Sequence, residues 1–232
     1  MADSSSPAVT ETIDQFDAEG RITRRSHLQS GALQGDLSVF GPDGTTQVKA
    51  PYVDGLLDGI LVTRDDDGRL LQEACYSAGV QHGATRVYAA GRLLMEQVYL
   101  QGKLHGLSVM YSEAGQVSAK QMYVQGLLEG EAVYLSEGRI VRKVTYRAGV
   151  QNGETVDFSR DEKPVQKSFY KDNLLEGTVT RFWPDGKILE TQDYKAGKPI
   201  SVLRCFDQNG DELQGSSPKP GIMQRLEQLV KG

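Results

Sequence analysis

Few side chains in this sequence are of the types that do chemistry. His82 and His105 stand in the same place of two successive segments, each just before a glycine, and imidazole is a common metal ligand. If they sit on strands two spacings apart, they are about 10 Å from each other, too far for one ion. No third ligand accompanies them, and the column they share reads Asp58, His82, His105, Glu129, Asn152 and Glu176, a set of polar turn residues. The run Asp65-Asp66-Asp67 offers carboxylates to a hard cation, but it lacks the loop spacing and the distal bidentate glutamate of a calcium site. Cys75 and Cys205 lie 130 positions apart with no CxxC and no neighbouring histidine, as two unrelated thiols would. Phosphate loops, HExxH helices, GxSxG elbows and dinucleotide fingerprints are absent from the sequence. The expectation is a chain that is not an enzyme, with no catalytic, metal or cofactor-binding residues and no cofactor.

The elements that must position these residues follow from self-similarity. Tyrosines recur at Tyr52, Tyr76, Tyr99, Tyr123, Tyr146, Tyr170 and Tyr194. Three residues later comes Gly55, Gly79, Gly102, Gly126, Gly149 or Gly197, with Asn173 in the place once. Asn is the side chain that best tolerates the left-handed backbone, so the exception obeys the same rule. Four residues further stands a second glycine, Gly59, Gly83, Gly106, Gly130, Gly153 or Gly177, replaced by Ser201 in the last unit. Segments of five to seven residues between such turns are too short for capped helices. Leu107, Val109 and Tyr111 alternate with Ser108 and Met110, the two-residue period of a pleat. Each unit therefore reads as a β-hairpin, and Pro42-Asp43-Gly44 and Pro184-Asp185-Gly186 read as type I turns closed by a left-handed glycine. The predicted fold is all-β: an elongated antiparallel meander of consecutive hairpins with a short C-terminal helix.

Composition agrees with a soluble globular chain rather than a disordered one, at 38% apolar and 25% charged residues. A net charge of −5 argues against a generic nucleic-acid binder, which needs a basic surface to displace counterions. No run of 18 apolar residues and no charged-then-apolar leader is found, so no membrane span is expected and the cytoplasm is the default location.

The pattern Tyr-x-x-Gly-x-x-x-Gly, followed by a short strand, an aromatic and a further glycine turn, resembles the MORN repeat and more closely its longer bacterial variant. The resemblance spans residues 28–213, in units starting near 28, 52, 76, 99, 123, 146, 170 and 194. Chains built mostly of this variant resemble the YwqK-type antitoxin family. That resemblance implies a non-enzymatic antitoxin or immunity protein whose partner is a cognate toxin or secreted effector. A MORN-type scaffold or membrane-apposed adaptor is the alternative it implies.

Residues 1–12 read as a disordered leader and 13–213 as the repeat domain, with residues 214–221 as linker. Ile222, Met223, Leu226, Leu229 and Val230 then fall at helical spacing, giving an amphipathic helix over 222–231 that either covers the last sheet edge or docks on a partner. Three residues before the tyrosines, and on the opposite face by parity, stand Lys49, Glu73, Glu96, Lys120, Lys143 and Lys167. Glu73, Glu96, Lys120, Lys143 and Lys167 form a polarised ladder and are the expected partner-binding residues, on a face that the pattern makes wet. Chelator treatment is expected to leave the melting temperature unchanged. One zinc bound per chain would overturn the reading of His82 and His105 as turn residues.

Overall fold

The computed structural model describes residues 10–213, and every regular element among them is a β-strand. The expected linker and helix at 214–231 lie outside the described residues. The chain divides into two units, Met1–Gly115 and Gln116–Gly232, and each is an antiparallel meander in which a strand pairs with its chain neighbours. In the first unit the order runs Thr10–Phe16, Ile22–Gln29, Gly35–Phe40, Thr46–Val53, Gly59–Arg64, Leu70–Ser77, Val80–Ala89, Arg92–Leu100 and Gly106–Tyr111. In the second it runs Val117–Val124, Gly130–Ser136, Arg139–Arg147, Val150–Phe158, Pro164–Lys171, Gly177–Phe182, Ile188–Lys195 and Arg204–Cys205. One boundary needs correction. Thr10, Glu11 and Thr12, expected in the leader, pair with Gln29, Leu28 and His27. An edge strand is held by backbone bonds, so its polar side chains gave no apolar signal.

The hairpin tips explain the period. Asp54 and Gly55 both have positive φ, 49° and 79°, and Ala148 and Gly149 repeat this at 49° and 83°. Two consecutive left-handed residues define the two-residue type I′ turn, whose twist matches that of paired strands. The glycine column therefore marks only the second half of each tip, and Ala78, Ala148 and Ala196 accept a strained backbone in the first half. Asn173 takes the glycine place with φ 66°. The Pro42-Asp43-Gly44 turn has the expected geometry, with the Gly44 N–H donating to the Gly41 carbonyl at 3.0 Å and φ 84° at Gly44.

Successive tips are tied to one another. The Gly55 N–H donates to Leu33 O, and those of Gly79, Gly149 and Gly197 to Leu57, Leu128 and Leu175 O, at 2.8–2.9 Å. The polar column before the second glycine adds a side-chain tie. Asp58, Glu129 and Glu176 accept from the N–H of Ala78, Ala148 and Ala196 at 2.8–2.9 Å. Those acids are therefore structural, bracing the strained first residue of the next tip.

Burial concentrates in a row of small side chains across the strand centres. In the first unit Leu37, Ala50, Ala74 and Thr85 lie along it, and in the second Ala132, Val144, Thr155 and Ser168. The main contacts between elements run along the meander among the described residues, and Ala74 reaches 0% exposure under flanking side chains of its own sheet. Small residues are selected because larger neighbours on the same face close over them.

The second glycine of each unit serves unequal needs. Gly153 has φ 129°, and a Cβ there would lie 2.9 Å from Thr145, whereas Gly130 has φ 79° and open space around it. Gly130→Ala is expected to cost roughly 1–2 kcal/mol from backbone strain alone, and Gly153→Ala measurably more. Chemical denaturation of both variants checks this, and equal costs would remove the crowding argument.

Candidate partner-binding surface

The strand register places the expected ladder on one face of each unit. In the first, Glu73 pairs with Arg86 and Arg86 with Glu96. The Arg86 guanidinium lies 2.9 Å from Glu96, and the Tyr88 hydroxyl donates to Glu73 at 2.9 Å. In the second, Lys120 pairs with Val133, Lys143 with Val133 and Val156, and Lys167 with Val156. Lys143 meets Glu131 at 3.1 Å and Lys167 meets Glu154 at 3.9 Å, while Lys120 has no ion pair among the described residues. The ladder is thus neutralised locally by Arg86 in one unit and, at Lys143 and Lys167, by two glutamates in the other. Tyr88 and Tyr111, two residues beyond Arg86 and Val109, share this face, so it is not simply the wet side of the sheet.

The opposite face carries the repeat tyrosines, and in the second unit it also carries charge. Cross-strand pairing sets Tyr134 beside Arg142, then Asp157, Gln166, Arg181, Glu190 and Cys205 in one continuous row. Arg142 pairs with Asp157 at 2.8 Å. Arg181 donates to Gln166 at 2.9 Å and to Glu190 at 2.8 Å. The tyrosines lie two rows away along the strands, with Tyr123 and Tyr194 donating to Gln121 and Gln192 at 3.2 and 3.0 Å. Tyr134, Arg142, Tyr146, Gln151 and Tyr170 line a shallow recess of about 380 Å³. In the first unit the matching row reads Gln15, Arg24, Val39, Val48, Thr63, Gln72, Val87, Met95 and Met110, with Arg24 as its one charge.

The hairpin that begins at Leu175 and returns through Tyr194 has the tip and turn geometry of the other units. Residues 175–196 match the MORN repeat variant. No curated protein matches the chain. Among the described residues no helix is long and apolar enough to cross a membrane, and no cluster of three metal-ligating side chains occurs. The Asp65–Asp67 run is occupied by its own turn and the preceding hairpin: Asp65 accepts from the Arg69 N–H at 2.8 Å, Asp66 from Gln47 at 2.6 Å, and Asp67 pairs with Arg69.

Sequence reading of the MORN pattern missed the charged row because it followed the columns that recur. The signal lay in a column that varies, four residues before each tyrosine: Val48, Gln72, Met95, Ala119, Arg142, Gln166 and Glu190. After Arg24, four residues before Leu28 in the first unit, charge returns to it only at Arg142 and Glu190, on the side that parity assigns to the tyrosines.

Burial sets the electrostatics of this row. Asp157 keeps 17% of its side chain exposed, and desolvation raises its pKa above the ordinary 3.8, opposed by the nearby Arg142. The Tyr146 hydroxyl is pushed up to about 12, mainly by burial and then by its hydrogen bond with Tyr134. A carboxylate with a raised folded pKa favours the folded state most below its unfolded value, and that advantage is lost as pH rises through the folded value. The wild-type protein is therefore expected to lose stability relative to Asp157→Asn as pH climbs from below 3.8 through the raised pKa. Denaturation of both proteins across that window checks the sign, and a difference independent of pH would refute it.

Proposed function

We propose that this chain is a non-enzymatic protein-binding MORN-repeat protein that acts in the cytoplasm as an antitoxin or immunity protein, binding and neutralising a cognate toxin or secreted effector. The observation that carries the reading is the tyrosine face of the second unit. Tyrosine and arginine are residue types that dominate protein interfaces, and here they stand in separate half-buried, hydrogen-bonded rows on one face. Side chains already fixed by neighbours lose little conformational freedom on binding, which favours a tight inhibitor. The lysine ladder is the weaker surface, because Lys143 and Lys167 each have a glutamate beside them.

A membrane-apposed adaptor is the second reading. It is favoured by the hairpin tips of the second unit, where exposed Leu127 and Leu174 stand near Arg147 and Lys171. Flotation with anionic vesicles tests it directly.

Affinity capture from the native cell, followed by mass spectrometry and co-expression of the captured protein, is the primary test. A captured toxin whose growth inhibition is relieved by this chain supports the proposal. Capture of membranes alone sinks it. With the partner in hand, Tyr170→Ala is expected to weaken binding at least tenfold, about 1.4 kcal/mol, without loss of fold. Reversal of Lys120, Lys143 and Lys167 to Glu is expected to change affinity less than threefold. The opposite ranking would move the interface to the ladder face.

A further inference from the structure

Glu190 is the one carboxylate in the charged row that is left half used. Its side chain is 7% exposed, and one oxygen, Oε1, accepts from Arg181 at 2.8 Å. The other, Oε2, is buried and has no hydrogen-bond partner among the described residues. A buried charged acceptor without a donor is costly, so such an atom marks a place where a donor belongs. Glu190 lines a recess of about 160 Å³ together with Val179, Arg181, Gln192, Tyr194 and Leu203.

We infer that this recess seats a primary ammonium, supplied by a lysine of the protein partner, an assignment that rests on the protein-binding reading above. An ammonium presents three donors from a single point charge. Glu190 Oε2 takes one. The Tyr194 hydroxyl, which donates its own hydrogen to Gln192 at 3.0 Å, keeps acceptor lone pairs for another. Its ring adds the attraction of an aromatic face for a cation. Val179 and Leu203 provide apolar walls for the methylene stem of a lysine. A guanidinium fits less well, because its fork needs two free oxygens and Arg181 already holds one. Cys205, paired with Glu190 across the strands, makes no hydrogen bond to Oε2, and burial and the adjacent carboxylate raise its thiol pKa, so it adds no charge of its own to the recess.

The test is an NMR titration of the full chain with n-butylammonium, with n-butanol as the neutral control. Saturable shifts at Tyr194 and Leu203 are expected from the ammonium alone. Glu190→Gln and the recess-filling Leu203→Trp should each weaken them at least tenfold, with unchanged melting temperature in at least one variant. Equal titration by butanol, or full binding by folded Glu190→Gln, overturns the site and leaves only a recess filled by water. In a second arm, acetylating the lysines of the captured partner should weaken its binding to wild type at least tenfold and add nothing to Glu190→Gln. Undiminished binding after acetylation overturns the lysine assignment. A chain that captures no protein yet binds butylammonium through Glu190 refutes the protein-binding reading while supporting the ammonium seat.

Discussion

Each repeat unit, from Ser30-Gly31 to Ala196-Gly197, depends on a tip where two adjacent residues are held in the left-handed region of backbone space. That requirement fixes the tip of each unit, and the tip fixes the register of the strands on either side. Glycine or asparagine meets half of it at no steric cost. The other half falls on residues such as Ala78 and Ala148, whose N–H groups are gripped by Asp58 and Glu129 from the preceding unit. Strain in one unit is thus offset by a hydrogen bond from the one before it. Stability is accordingly a property of neighbouring pairs, as in other repeat architectures.

Within each unit, no second layer packs on the strands among the described residues, and this governs where charge is tolerated. A sandwich would reserve one face for apolar side chains. Here shelter comes from neighbours on the same face, so apart from Leu189 the most enclosed positions are small ones, such as Ala74, Ala132 and Thr155. Long polar side chains can lie across them and still reach water. Arg142 and Asp157 do so beside Val144, which is why a salt-bridged row coexists with a tyrosine row on one surface.

The fold was legible because its determinants recur. Tyr-x-x-Gly repeated at a near-constant interval announces turns whatever lies between, and even Asn173 carries the conformational message. The first strand was less legible: Thr10–Thr12 are held by backbone bonds to Leu28 and its neighbours, which leave no mark on side-chain pattern. The site was less legible still. Parity placed Lys143 and Lys167 opposite the tyrosines, but the glutamates beside them sit on adjacent strands at offsets no single column reveals. The Arg181–Glu190 pair likewise joins residues nine positions apart through a bulged register, a relation that only the paired strands define.

The last turn of the meander departs from the rule at one residue. Ser201 stands where the other units have their second glycine, and regular pairing lapses from Ile200 to Leu203 before a two-residue strand at Arg204–Cys205. A side chain that avoids the left-handed region there interrupts the ladder that would otherwise offer a full row of free N–H and C=O groups to another sheet. The short strand that remains is clamped from its outer side by Glu212, whose carboxylate grips Arg204 at 2.7 Å. A single serine in place of glycine thus goes with a last strand only two residues long, which leaves another sheet little edge to extend among the described residues.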